Sequence, residues 1–335
     1  MGLINRTHIV LLIAAAVVGG GLYLIMPELT WMIAGLALLV IGADWLIGGS
    51  ASLAKRLGIN SFVVGLTVVA FGTSAPELAA SIKAALDGEG GLAVGNVVGS
   101  NVANICLILG LTAIFRPVPA QSRVVKVDVP IMIGVTVLAM WFFVDGSIGR
   151  IEGAILALGI FIYTIGLYKT GKADDILEAA DESEVEGGVG VEVLGVVLGI
   201  VALAFGSTLL VDNATSVAVA IGVSTTVIGL TMVAFGTSVP ELITSLTACF
   251  KRESDIAVGN ILGSNVFNIL SVLGIASLVA PLDVPHSVIV REMWVMLFVA
   301  LACVPIFWRG KISRGEGVLL TIFYMVYMTL LFMAF

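Results

Sequence analysis

Two stretches of this chain are nearly the same stretch. GLTVVAFGTSAPEL at 65–78 returns as GLTMVAFGTSVPEL at 229–242, and AVGNVVGSNVANI at 93–105 returns as AVGNILGSNVFNI at 257–269. Both copies are displaced by the same 164 residues, with 22 of 27 aligned positions identical. The chain is therefore built from a duplicated unit, and its fold must place that unit twice. Each copy sets one glutamate, Glu77 or Glu241, deep in apolar sequence. An ionised carboxylate there costs roughly 2.5–3.5 kcal/mol even on lenient insertion scales, so a duplicated one reads as a site.

The surroundings of the repeat are those of a bilayer. Apolar residues make up 59% of the 335 and charged residues 12%, and the mean hydropathy is +1.14, outside the range of soluble domains. The apolar runs are about 20 residues long, the length an α-helix needs to cross a hydrocarbon core of about 30 Å, and they lack the alternation of a membrane β-barrel. Cys106, Cys249 and Cys303 lie inside these runs without metal-ligand or paired-loop spacing and read as packing residues. With His8 and His286 as its two histidines, the chain offers no HExxH and no serine-histidine-aspartate set, so it is not expected to be an enzyme.

Apolar runs fall near 9–26, 31–50, 61–84, 92–115, 127–144 and 151–168, then 193–211, 224–249, 256–279, 289–308 and 316–334. Placing the amino terminus inside puts 13 of the 16 lysines and arginines in inside segments, leaving Lys83, Arg150 and Arg291 at the outer side. Five spans separate equivalent positions of the two copies, and an odd number of crossings reverses direction. The expected fold is thus an all-α polytopic membrane protein: two inverted five-helix repeats forming a ten-helix core, plus one extra N-terminal helix. The expected divisions are 1–30 for the extra helix, 31–168 for the first repeat, 169–192 for an acidic inside loop and 193–335 for the second repeat. The run at 9–26 has no partner in the second half and reads as an added helix or signal anchor, with a cleaved signal peptide the alternative. Segment 171–192 carries eight acids against Lys172 and reads as a solvated linker, since it lacks the glycine and ligand spacing of an EF-hand loop. Inverted repeats meeting near the midplane are the architecture of many secondary transporters.

The repeated motifs supply oxygen. Thr73 and Ser74 lie four and three residues before Glu77, on neighbouring helical surface. Pro76 lacks a donor and clashes with the carbonyl of Gly72, so the helix is expected to be kinked or broken there with carbonyls freed, and again at Gly236 and Pro240. Asn96, Ser100 and Asn104 are four apart, as are Asn260, Ser264 and Asn268, giving each helix one polar stripe. Ser100, Asn104, Ser264 and Asn268 are read as site residues. Asn96, Asn101, Asn260 and Asn265 are read as bonds between helices, and Gly95/Gly99 and Gly259/Gly263 as GxxxG close approaches. The two carboxylates with hydroxyl, amide and carbonyl oxygens form a cage for a hard cation, and calcium's six to eight flexible oxygen ligands suit it better than magnesium's tight octahedron. Asp44 and Asp212 do not align under the displacement and read as helix-end solvation or structural pairing. Lys83 reads as snorkelling to the outer interface.

GTSxPEL and GNxxGSNxxN, each present twice at matched spacing, resemble the α-repeats of the calcium/cation antiporter superfamily, the prokaryotic type of sodium/calcium exchanger in particular. The resemblance covers about 31–335. It implies that Glu77 and Glu241 are the central ligands for calcium and sodium. Thr73, Ser74, Thr237 and Ser238 would add hydroxyl or carbonyl oxygens, Ala70 and Ala234 backbone carbonyls, and Ser100, Asn104, Ser264 and Asn268 the remainder. Some members carry an aspartate where this chain has Asn268, which puts the sodium stoichiometry in question. The expected function is alternating-access exchange of calcium for sodium, exporting calcium across an inner membrane. Proton/calcium antiport and, from another class, a passive cation channel are the alternatives. No resident cofactor, nucleic acid or obligate protein partner is expected, only the transported ions and the bilayer.

Overall fold

The computed structural model describes residues 8, 27–119, 121–174, 188–221 and 234–333. The helices are α1 (Pro27–Leu57), α2 (Ser61–Thr73), α3 (Ala75–Leu86), α4 (Gly90–Phe115), α5 (Val124–Phe143), α6 (Arg150–Asp174) and α7 (Val189–Ala220). They continue as α8 (Ala234–Thr237), α9 (Val239–Phe250), α10 (Ser254–Val279), α11 (Val288–Trp308) and α12 (Arg314–Met333). Eight of them are long and apolar enough to cross a membrane, or nine spans if α2 and α3, bent by 44° at their junction, are one. Eleven were expected. The run at 9–26 and the opening of the run at 224–249 lie outside the described residues, and the other nine expected runs match the eight long helices and the broken pair.

Several helices outrun their apolar cores. α1 has 31 residues, with Glu28 in its first turn and Lys55 and Arg56 in its last, each suited to the dipole end it occupies. α6 continues to Asp174 and α7 begins at Val189, so helix extends into both flanks of the segment read as an acidic loop. Asn60 starts α2 by accepting the Phe62 amide at 2.8 Å, a side-chain cap for an otherwise open donor.

At the centre lie the helices that carry the polar stripes. Of the most apolar stretch of α4, 83% of residues are buried, and of α10, 89%, against 17% for α12. α10 presses on α2 as its GxxxG predicts: a Cβ at Gly259 would stand 2.6 Å from the Phe62 carbonyl oxygen, and one at Gly263 2.6 Å from that of Leu66. Gly95 and Gly99 of α4 have no described neighbour at that range. The equivalent of the α2 segment they would meet, 225–230, lies outside the described residues, so the predicted close approach is seen in one half.

A second close crossing joins α1 to α7. Built Cβ atoms would lie 2.8 Å from Gly206 O at Gly35, 2.9 Å from Gly199 O at Gly42 and 2.6 Å from Leu46 N at Gly199. Only glycine admits such an approach. Gly35 and Gly42 become Gly199 and Gly206 on adding 164, and the contacts cross over, Gly35 to Gly206 and Gly42 to Gly199. Two short ribbons repeat this exchange. β1 (Val118–Pro119) pairs antiparallel with β4 (Lys311–Ile312), and β2 (Ser147–Ile148) with β3 (Leu282–Asp283). β3 lies 164 residues after β1, and β4 the same distance after β2.

Candidate functional site

The backbone breaks where the motif places proline. Ser74, at φ −83° and ψ 4°, ends α2 and opens α3, whose first turn holds Pro76 and Glu77. Ser238, at φ −87° and ψ 1°, does the same between α8 and α9, with Pro240 and Glu241 following. Of the kink or break expected at the proline, the structure has the break: proline is tolerated in a first turn, where its missing N–H would lack a partner anyway. Each glutamate sits in the first turn of its new helix, where the helix dipole favours a carboxylate.

These two turns exchange hydrogen bonds. Ser74 Oγ donates to Glu241 Oε1 at 3.1 Å, and Ser238 Oγ donates to Glu77 Oε1 at 3.2 Å. Each half thereby holds the other's carboxylate, and residues 164 apart in sequence meet around one centre. Glu77 is 1% exposed and Glu241 0%. Among the described residues their second oxygens, Glu77 Oε2 and Glu241 Oε2, have no hydrogen-bond partner, and neither has Asn268 Oδ1 or either polar atom of Asn104. Buried acceptors without a donor are costly in a protein interior. Four such oxygens among them match what a hard cation requires of a cage.

The asparagines read as bonds between helices do that and more. Asn96 donates to Ser81 Oγ at 3.0 Å and to the Glu77 carbonyl at 3.4 Å, and accepts from Thr237 at 3.3 Å. Asn260 donates to Ser245 Oγ at 3.0 Å and the Glu241 carbonyl at 3.4 Å, and accepts from Thr73 at 3.0 Å. Each amide buttresses the backbone of one glutamate and binds a threonine of the other motif. Ser100 and Ser264, both fully buried, join through Ser238 at 3.2 Å and Thr73 at 3.5 Å. Asn101 donates to the Asn265 carbonyl at 3.2 Å and accepts from Asn268 Nδ2 at 3.1 Å.

Other expected oxygens stand differently. The Ala70 carbonyl accepts from the Ser74 amide at 3.0 Å and lies 3.3 Å from the Thr73 hydroxyl, whose single proton has the shorter bond to Asn260 Oδ1 at 3.0 Å, so the carbonyl keeps a lone pair to offer. Ala234 opens α8. The Gly236 carbonyl, expected to be freed for a cation, accepts Ser207 Oγ of α7 at 2.7 Å. Asp44 does not sit at a helix end: in the body of α1 it pairs with Lys251 and, at 2.8 Å, with His8. That is the structural pairing considered for it. Asp212 is exposed on α7, and Lys83 is exposed near the end of α3.

Sequence reasoning missed Ser81 and Ser245, which orient the two buttressing amides, and Ser207. Ser81 and Ser245 were findable, since both lie four residues after their glutamate and recur at the 164-residue displacement. Among the described residues no three of His, Cys, Asp and Glu gather into a metal cluster. The charge at this centre therefore comes from two carboxylates, with neutral oxygens around them.

A family model described as sodium/calcium exchanger protein matches residues 28–169 and 191–333, covering both halves. Inner membrane protein YrbG of Escherichia coli is 36% identical over 310 residues, spanning 90% of this chain and 95% of its own. Sodium/calcium exchanger MaX1 of Methanosarcina acetivorans is 32% identical over 340 residues, spanning 90% and 97%. The solved structure of the sodium-calcium exchanger NCX_Mj superposes with a TM-score of 0.80 at 31% identity, covering 90% of this chain and 97% of that one. The duplicated, helical, two-carboxylate chain is thus a multi-pass membrane protein that belongs to the sodium/calcium exchanger family, cation/Ca2+ antiporters and not enzymes.

Proposed function

We propose that the protein exchanges calcium for sodium by alternating access, exporting calcium, through one pocket built on Glu77 and Glu241. The observation that carries this reading is the reciprocal pair of bonds, Ser74 to Glu241 and Ser238 to Glu77. Two carboxylates balance one divalent charge, and the same oxygens serve sodium ions when calcium leaves. In this reading Thr73, Ser74, Ser100, Asn104, Thr237, Ser238, Ser264 and Asn268 supply neutral oxygens, with backbone help from Ala70 and Ala234 and no resident cofactor. An empty, doubly ionised pocket is costly inside a membrane, which disfavours re-orientation without cargo and couples the two fluxes.

The two halves, 31–168 and 193–335, are read as inverted repeats with the amino terminus inside. The ribbons support this. β1 and β2 flank the spanning helix α5 and so lie at its opposite ends; β3, equivalent to β1, pairs with β2, and β4, equivalent to β2, pairs with β1. Equivalent strands at opposite ends are what inversion requires. An inner-membrane location draws support from the similarity to YrbG, named an inner membrane protein.

Calcium uptake into inverted vesicles, driven by a sodium gradient with the proton gradient collapsed, tests the reading. Sodium-dependent uptake is expected. Uptake that follows only a proton gradient would assign the protein to proton/calcium antiport, and calcium current without a counter-ion would make it a channel.

A further inference from the structure

Proline at position 240 removes the amide that would bond the Gly236 carbonyl in a continuous helix. A side chain from another helix fills that place. Ser207 of α7 is 4% exposed and donates its hydroxyl to Gly236 O at 2.7 Å. Val211, one turn further along the same face of α7, lies so close that a Cβ at Gly236 would collide with it. Seven residues before Ser207 on that stripe, Ile200 meets the first break, its Cγ1 2.6 Å from a Cβ built on Gly72. One stripe of α7 thus touches both breaks, with an apolar contact at Gly72 and a hydrogen bond at Gly236. The position equivalent to Ser207 in the first half is Ala43, which has no hydroxyl to give.

We infer that Ser207 is a positioning residue for the cation pocket: its bond to Gly236 fixes the second break so that Ser238, two residues on, aims its hydroxyl at Glu77, and it ties α7 to that aim in one half only. The inference rests on the cation pocket proposed above. Its chemistry is specific. Calcium is held chiefly by two carboxylates, whereas a monovalent ion has half the charge to attract them and depends more on correctly placed neutral oxygens. Loosening Ser238 therefore weakens sodium more than calcium.

The test compares Ser207→Ala, Ser207→Thr and Thr208→Ala with the wild type in proteoliposomes. Thr208 bonds within its own helix, to the Ala204 carbonyl at 3.0 Å, and its side chain is exposed, so its loss is the control. For Ser207→Ala the half-saturating sodium concentration should rise several-fold while that for calcium changes less than about twofold. Ser207→Thr should restore it, and Thr208→Ala should leave both unchanged. Hydrogen–deuterium exchange on the same proteins should show faster exchange at 237–242 in Ser207→Ala, with 73–78 unaffected. Equal shifts for the two ions, no shift, or a lower maximal rate with unchanged half-saturation would overturn the inference, as would unchanged exchange at 237–242. A wild type without sodium-dependent exchange would instead defeat the sodium reading, and the deuterium comparison would still decide Ser207.

Discussion

The two motif turns, 73–81 and 237–245, are alike in their inner contacts and unlike in their outer ones. Amide-to-serine distances are 3.0 Å in both, amide-to-carbonyl distances 3.4 Å in both, and serine-to-carboxylate distances 3.1 and 3.2 Å. Beyond that shell the symmetry ends. Asn268 gives its amide to Asn101, whereas both polar atoms of Asn104 have no partner among the described residues. Gly236 is capped by Ser207, and Lys251 binds Asp44 where the positions 164 residues away hold Asp87 and Thr208. The duplicated residues make the matched contacts between the two motif turns, and the departures are the Asn268–Asn101 bond between α10 and α4 and the contacts made to α1 and α7. Matched motif contacts thus sit inside a frame whose contacts differ between the two halves.

The strongest way to break the comparison is at the carboxylates. Glu77→Gln and Glu241→Gln should each reduce coupled exchange more than about 100-fold, since losing one partner of a buried charge set costs about 3–5 kcal/mol. Sodium-driven calcium flux in proteoliposomes checks this, and wild-type flux in either variant would remove that glutamate from the centre. Next come the crossed serines. Ser74→Ala and Ser238→Ala each delete a hydrogen bond to a carboxylate, an interaction of about 1.5–3 kcal/mol, so cation half-saturation should rise roughly 10- to 100-fold in each. Effects differing by more than tenfold between the two would show that the pocket is not functionally symmetric.

The α1–α7 crossing offers a matching test of the frame. Gly199→Ala places a methyl against backbone atoms of α1 and should destabilise the fold by about 1–3 kcal/mol. Gly315→Ala, whose nearest described neighbour is 3.9 Å away, should leave the thermal midpoint in detergent unchanged. Asn268→Asp would add a third carboxylate to the proposed pocket and should move the reversal potential of exchange. An unchanged potential would mean that this position does not set stoichiometry. The smallest effect belongs to Lys251→Gln. The Lys251 and Asp44 side chains are 34% and 23% exposed, and such pairs contribute about 0.2–1 kcal/mol. Apparent calcium affinity should shift less than about fivefold, and at one face more than the other, as read by transport in right-side-out and inverted vesicles.

Much of this was readable from the chain because hydrocarbon makes few exceptions. Apolar length located the eight long helices and the broken pair among the described residues, and the cost of buried charge singled out the two glutamates that the structure buries. Helical spacing put Thr73 and Ser74 beside Glu77 and aligned Ser100 with Asn104, with their repeats, since residues three and four apart share a helix surface. At proline it gave a kink or a break without choosing between them. Pro76 and Pro240 look the same in sequence as an interior kink and as the first turn of a new helix, and the difference lies in the ψ of the serine before them. It failed for Gly236, because the donor that takes its carbonyl comes from Ser207, a helix away and outside both repeated stretches.

The amino-acid sequence by itself determined a helical membrane chain made from a duplicated unit and an oxygen-rich centre with two carboxylates, because composition, length and the cost of buried charge act residue by residue. Only the tertiary structure decided that each half's serine holds the other half's glutamate, that Asn96 and Asn260 brace the glutamate backbones, and that α7 reaches both breaks. Those outcomes depend on which helix faces which across the bundle, and side-chain hydrogen bonds of about 3 Å between residues more than a hundred positions apart leave no periodicity in a chain.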